Sequence, residues 1–324
     1  MLGFTTLGRL TGTLALVSAL CGMAGTAAAE TPLTLVVPYG AGGTTDNFAR
    51  MLAQGMSSEL GRPVIVENKP GANGIIGATY VSRANPDGNT VLLGGTGPIS
   101  LNVMLRPKLP YSLESFESVA MLFEGMLTIT VPTKLGVNSI PELVAYGKKS
   151  STGLRIGTLG PGSVTDLYNL VLAKALDVEV MSIPYKNNPS ALIDLMGGLG
   201  DVTTATPIAV IEHQKAGDLK ILALTTEKRD PAFPDIPSVT ELGFPQLKAT
   251  YWTALHAPKG TPPAVIEKLS AAAVKTVQSD SFRALLANNG QMEKAGGPAA
   301  LDAQLKQDAE HWGAVIRENN IVLE

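Results

Sequence analysis

Cysteine is nearly absent from this chain: Cys21 is the only one in 324 residues. It falls in an N-terminal stretch that reads as a removable signal. The chain that remains would have no cysteine, which excludes structural disulfides, cysteine-ligated metals and a cysteine nucleophile. Charge is also sparse, at 16% of residues with a formal net charge of −3. Nothing here offers the basic patch that nucleic acid requires. Histidine is limited to His213, His256 and His311. None has metal-ligand spacing with another, no helical HExxH occurs, and each reads as a surface or structural residue. Beyond the N-terminal stretch no apolar run is long enough to cross a membrane. A chain of this length still buries enough apolar surface to fold without staples, and it has room for two ordinary domains.

Residues 1–29 carry the marks of a secretory signal peptide. Arg9 gives a positive start, Leu10 to Leu20 is mostly apolar, and Ala27-Ala28-Ala29 precede Glu30 as a small-residue cleavage site. A transmembrane anchor is the competing reading, but the run falls short of the roughly 18 to 20 residues a span needs and is interrupted by Ser18 and Gly22. Leu20 stands before Cys21, where a lipid-attachment signal wants a small residue, so lipidation is set aside.

Nucleophile and nucleotide motifs are missing too. Gly160-Pro161-Gly162-Ser163-Val164 is no GxSxG elbow, and Ser163 suits a helix N-cap better. The run 40-GAGGTTD-46 has neither GKS nor GKT and lacks GxGxxG spacing, while 71-GANGIIG-77 has no GxG core.

What the chain does have is a series of strands that end in small-residue loops and run into helices. Leu33 to Val37 suits a buried parallel strand, Gly40, Gly42 and Gly43 allow a sharp turn, and Thr44 or Thr45 can cap a helix over Asn47 to Leu60. A helix start presents free N–H groups and the positive end of the macrodipole, so it can hold a carboxylate or phosphate without lysine or arginine. An ordinary strand-to-helix connection is the competing reading. The strand Val64 to Asn68 leads into a second glycine loop at 70–74 and a segment over Ile75 to Arg83, and a strand over Thr90 to Gly94 ends in Gly95-Thr96-Gly97-Pro98. This is the α/β pattern, whose ligands bind at the carboxyl ends of strands.

A comparable series follows. The strand Leu154 to Thr158 enters a third glycine loop, 159-LGPGS-163, and a helix over Val164 to Leu176. Further strands are predicted over Glu179 to Pro184, Val202 to Ala205 and Leu219 to Leu224, with a helix over Ser190 to Met196. Pro141 opens another helix with Glu142 in its first turn. Two long helices are predicted, over Pro262 to Asn288 and Pro298 to Asn319, joined around Gly296-Gly297. Asp46 and Asp166 both fall at helix starts after glycine loops, where they serve either as capping and dipole groups or as ligand contacts. Trp252 and Trp312 read as packing residues, and Tyr39 and Tyr185 as loop-tip aromatics able to lie against a ligand.

The order VVPYGAGGTTDNFAR, GRPVIVENKPGANGIIGA, NPDGNTVLLGG, then RPKLPYSLESFESVA, IPYKNNPSALIDLMGG, RDPAFPDIPSVTELGFP and HAPKGTPPAVIEKL strongly resembles the solute-binding proteins of tripartite tricarboxylate transporters, the Bug or TctC-like family. The match runs over nearly the whole chain after the signal. It implies an α/β, two-lobed periplasmic binding protein of the type II kind, each lobe a mixed sheet flanked by helices with the ligand cleft between them. On that reading residues 30–129 with 251–324 form the first lobe and 130–250 the second, with crossings near Thr128 to Val131 and near Tyr251, and the C-terminal helices pack back on the first lobe. It also implies a monomeric periplasmic receptor without a cofactor, metal or catalytic role, which delivers a small carboxylate to membrane permease subunits.

The resemblance further implies which residues hold the ligand. From the first lobe these are Tyr39, Ala41, Thr44, Thr45 and Asp46, then Ala72, Asn73 and Thr96; from the second, Thr158, Gly160, Ser163 and Thr165, with Tyr185 and Thr206 at the far end. Neutral hydroxyls and amides suit reversible capture because each donates a hydrogen bond at modest desolvation cost. The chain departs from the family in having Asp166 where a histidine is common, and Tyr185-Lys186-Asn187 where a YKG turn is usual. A carboxylate at an anion-binding helix start would repel a purely anionic ligand unless the ligand brings a cation or Asp166 points away, so amino acids stand beside dicarboxylates and aromatic acids. An exported hydrolase and a ligand sensor on the same scaffold are the alternatives.

Overall fold

The computed structural model describes residues 31–185 and 188–323. The signal segment and the Lys186-Asn187 departure lie outside the described residues. Strands β1 (Leu33–Val37), β2 (Val64–Asn68), β3 (Thr90–Gly95) and β4 (Phe116–Met126) belong to a first sheet. The chain then crosses to a second sheet made of β5 (Thr128–Pro132), β6 (Leu154–Thr158), β7 (Val180–Pro184), β8 (Val202–Thr203) and β9 (Leu219–Leu224). It returns to the first with β10 (Thr250–Pro258) and β11 (Gln291–Gly296). The strand orders are β11-β4-β10-β3-β1-β2 and β7-β6-β8-β5-β9. Both sheets are mixed: β1 runs parallel to β2 and β3 while β10 is antiparallel to β3 and β4, and β6 runs parallel to β7 and β8 while β5 is antiparallel to β8 and β9.

Burial of both faces explains the apolar character of β1. Leu33, Leu35 and Val37 join a cluster under the helices α1 (Thr44–Leu60), α8 (Pro263–Val277) and α9 (Asp280–Asn288), whereas Val36 faces the cluster that holds Ala78 and Val81 of α2 (Ile75–Ser82), the helix before the short α3 (Asn102–Leu105). A strand covered on both sides needs no polar alternation. Phe48, Leu52, Met56 and Leu60 carry the helical spacing of α1 into the first cluster, and Gly61 ends the helix in the left-handed region with its N–H on the Ser57 carbonyl. Phe48, Phe123 and Phe282 meet there, with the first two ring centroids 4.8 Å apart.

The second sheet is layered in the same way. One cluster contains Ile129, Ile156, Leu143 of α4 (Ile140–Lys149) and Leu167, Tyr168 and Leu172 of α5 (Val164–Leu176). The other contains Leu192 and Leu195 of α6 (Asn188–Gly197) and Val210 of α7 (Pro207–Ala216). Thr225 fastens the two crossings to each other. Its buried Oγ1 accepts from the Leu127 N–H at 2.9 Å and donates to the Ala249 carbonyl at 2.6 Å.

The structure differs from the sequence expectations in three places. The helix predicted over Pro262 to Asn288 is two helices, because Ser279 stops α8 and caps α9 by accepting from the Phe282 N–H. The residues before Gly296 form β11, an antiparallel partner of β4, where a simple joint between helices was expected. Of the C-terminal helices, α8 and α9 pack on the first sheet, but α10 (Pro298–Glu318) straddles both sheets: Leu301 lies in a first-sheet cluster, and Trp312 and Ile316 lie with Leu127 and Tyr168 in a second-sheet cluster.

Candidate functional site

The glycine loops converge on a cavity of about 660 Å³ between the two sheets. Tyr39, Thr44 and Thr45 reach it from the β1–α1 loop, Asn73 from the second glycine loop, Thr96 from the end of β3, and Ser163, Thr165 and Thr206 from the second sheet. Its apolar wall comes from Phe48, Leu93, Phe123, Leu127, Leu159, Val164 and Ile208. No described lining residue carries a charge or a histidine ring. A larger cavity of about 860 Å³ is lined by many charged residues, some of them paired across it, as in Lys248 with Glu227 and Lys294 with Glu124.

The two helix starts facing the cavity are built alike but capped differently. In the first, the Gly42 N–H donates to Asp46 Oδ2 at 3.0 Å; in the second, the Gly162 N–H donates to Asp166 Oδ2 at 3.0 Å. Each aspartate thus ties down the loop four residues upstream. Asp46 also receives Arg50 Nε at 2.9 Å and Asn68 Nδ2 at 2.9 Å, and these hydrogen bonds, led by that of Gly42, hold its pKa down at about 2. At α5 the hydroxyls complete the cap: Ser163 Oγ accepts from the Asp166 N–H at 3.2 Å, and Thr165 Oγ1 accepts from the Leu159 N–H at 3.0 Å. At α1 the N-cap is Gly43, with no side chain to cap, and Thr44 is exposed to the cavity. The first turn of a 17-residue helix therefore faces the cavity uncapped, where the macrodipole favours an anion.

Several predicted residues stand behind the wall, outside the lining. Thr158 is buried and its Oγ1 accepts from the Gly160 N–H at 2.9 Å, so it shapes the third glycine loop. Asp46 and Asp166 tie loops in the way just described. Ala41, Gly160 and Ala72 contribute backbone curvature, Ala72 and Asn73 both holding left-handed φ values, 49° and 51°. That turn is strained for residues with a side chain. It presents Asn73 Nδ2 to Asn102 Oδ1 at 3.3 Å and, across the lobes, to the Gly162 carbonyl at 3.4 Å. Tyr185 lies against β6 with its N–H on the Thr158 carbonyl, and burial pushes its pKa up.

The rest of the lining combines Thr96, which the resemblance implied, with residues it did not. Thr96 Oγ1 accepts from the Trp252 N–H at 2.9 Å, leaving its own proton to donate, and Trp252 is pinned in turn by Nε1 to Asp308 Oδ2 at 2.7 Å. Burial raises the Asp308 pKa. Tyr251, Gln291 and Thr204 also line the cavity, and Gln291 Nε2 donates to the Tyr251 hydroxyl at 2.7 Å. Burial pushes Tyr251 up to about 12 and raises Tyr39 further, so both phenols stay protonated and able to donate. Gly125 makes room for this pair: a Cβ there would stand 2.2 Å from Tyr251 Cζ and 2.4 Å from Gln291 Oε1. No local sequence signal marks Gln291, because its position follows from the pairing of β11 with Gly125 on β4.

Comparison with known proteins decides the family. The model for the tripartite tricarboxylate transporter family receptor, TctC, matches residues 48–321. The chain belongs to this family. Bug-type relatives include BugT of Bordetella pertussis, 31% identical over 97% of this chain and 98% of its own. Among solved TctC-like structures, MatC from Rhodopseudomonas palustris with bound malate shares 30% identity with a TM-score of 0.77, covering 89% of this chain and 99% of its own. An R. palustris protein solved with adipate shares 28% identity with a TM-score of 0.81, covering 90% and 99%. The TctC and Bug proteins are periplasmic solute-binding receptors, and the two mixed sheets flanked by helices are their fold.

Proposed function

We propose that this protein is an exported receptor that captures a small carboxylate in the cavity between its sheets and passes it, unchanged, to the permease subunits of a tripartite tricarboxylate-type transporter. The observation that carries the reading is the uncapped start of α1 opening on a cavity whose described lining is wholly uncharged. Backbone N–H groups of Thr44 and Thr45 would hold the carboxylate, helped by hydroxyl donors on Thr44, Thr96 and Tyr39. Such a site would bind an anion through fixed dipoles, and its described lining offers no carboxylate, lysine or histidine to act as a general base on the ligand. The ligands of the two R. palustris proteins, malate and adipate, are carboxylates of a size that fits the volume.

Closure belongs to the same reading. The lobes, residues 30–129 with 251–324 and residues 130–250, would swing about the crossings fastened by Thr225, with Asn73 and the Gly162 carbonyl meeting at the mouth. Residues 1–29 would direct the chain to the periplasm and be cleaved. A thermal-shift screen of carboxylates and amino acids on the mature protein, followed by calorimetry of each hit, tests the reading. Stabilisation by carboxylates with one-to-one binding is expected; stabilisation by none of them, or conversion of the ligand, would refute it.

A further inference from the structure

Two residues that line the cavity each carry a buried polar atom that no described residue satisfies. Gln291 Oε1 and Thr204 Oγ1 have no hydrogen-bond partner among the described residues, although Gln291 is 7% exposed and Thr204 only 1%. Both residues line the cavity, one from β11 of the first sheet and one from the segment after β8 of the second. Leaving such atoms unpaired costs a folded protein the full desolvation of each group, so they mark where a ligand group belongs. The orientation of the Gln291 amide is fixed by its surroundings. Nε2 faces the Asn289 carbonyl at 3.3 Å, which can only accept, and also donates to the Tyr251 hydroxyl at 2.7 Å. The free atom is therefore an acceptor, and it calls for a donor. The Tyr251 hydroxyl, which already accepts from Gln291, keeps a proton to donate.

A carboxylate cannot answer Gln291 Oε1, since an ionised carboxylate only accepts. An ammonium could donate, but no described lining residue is a carboxylate to neutralise it, and Asp46 and Asp166 are turned to their own loops. Desolvating an unpaired cation in such a place is strongly unfavourable. A hydroxyl both donates and accepts without charge, so it can answer an acceptor such as Gln291 Oε1 as well as a hydroxyl such as that of Thr204 or Tyr251.

We propose that Gln291 and Thr204 select a ligand that carries an alcohol or phenol hydroxyl in addition to its carboxylate, so that the substrate class is a hydroxycarboxylate. This rests on the carboxylate-receptor reading above and sharpens it. The deepest consequence is that an amino acid, which the sequence left open because of Asp46 and Asp166, is disfavoured at this site.

Calorimetry on the mature protein with matched pairs tests it: malate with succinate, 6-hydroxyhexanoate with hexanoate, and 4-hydroxybenzoate with benzoate, adding aspartate as the amine-bearing counterpart of malate. In at least one pair the hydroxylated acid should bind about tenfold or more tighter than its partner, because a site built to hydrogen-bond a hydroxyl rejects the analogue that lacks it. Gln291→Met should reduce that ratio to about twofold or less, and Thr204→Val should reduce it independently by about threefold or more. A ratio is read because a general loss of stability lowers both affinities alike. If carboxylates bind but no hydroxylated acid is preferred, if aspartate exceeds malate, or if neither variant changes the ratio, the hydroxyl assignment is wrong while the receptor reading stands. If none of the carboxylates binds, both fall.

Discussion

At the residue scale, the two aspartates that looked alike in the sequence do similar structural work, each turned by hydrogen bonds to its own loop. Asp46 accepts from the Gly42 N–H, Arg50 and Asn68, and its folded-state pKa of about 2 lies below the ordinary carboxylate value. A depressed folded pKa means that the unfolded chain binds more protons, so the stabilisation is present above roughly pH 4 and is lost as the pH falls towards about 2. Acid titration of stability should therefore be less steep between pH 4 and 2 in Asp46→Asn than in the native protein. Equal slopes would show that Asp46 does not contribute. Thr44 and Ser163 divide in the same way. Thr44→Val should leave stability unchanged and weaken carboxylate binding about tenfold through the loss of a charge-assisted hydrogen bond. Ser163→Ala removes a cap and should cost about 1 kcal/mol in denaturant titration. The sequence showed that hydroxyls and amides cluster after the glycine loops. Which of them face the cavity was not legible there, because Thr158 and Asp166 are turned to their loops by hydrogen bonds only two to four residues away.

At the element scale, the strands and loops that end at the cavity were the most readable part of the chain. Leu33 to Val37 and Leu154 to Thr158 match their observed strands because each combines an apolar run with a glycine loop. The strands beside the crossings between the sheets were not readable. β4, an 11-residue strand, has no alternation to mark it, as most of it is buried on both faces, and β11 is short and polar, with its identity set by pairing with β4. That pairing makes Gly125 a test of the floor of the cavity. Gly125→Ala should drive Tyr251 and Gln291 aside, costing about 1–3 kcal/mol and lowering ligand affinity, whereas unchanged affinity would mean that these two residues lie outside the working site. Thr225→Val, nearly isosteric, would leave the buried Leu127 N–H without its acceptor and should destabilise by about 1–3 kcal/mol in equilibrium unfolding.

At the scale of the whole molecule, the two mixed sheets meet over one cavity, with α10 lying across both. If the two lobes close about their crossings as proposed, scattering should show a more compact particle with a tight ligand than without, and an unchanged radius would count against closure. The described lining holds no group that titrates near neutrality, with Tyr251 pushed up to about 12 and Tyr39 also raised. Affinity for a fully ionised carboxylate should therefore be flat from pH 6 to 9. A pronounced optimum in that range would point to an ionising partner in the site. The central claim is that the start of α1 and its neutral neighbours reversibly hold a small carboxylate. It is tested most directly by calorimetric titration of the mature protein and of Thr44→Val with malate and the other carboxylates that stabilise it. Saturable one-to-one binding is expected, about tenfold weaker in the variant, with the ligand recovered unchanged. Absence of binding by every carboxylate, or recovery of a converted product, would contradict it.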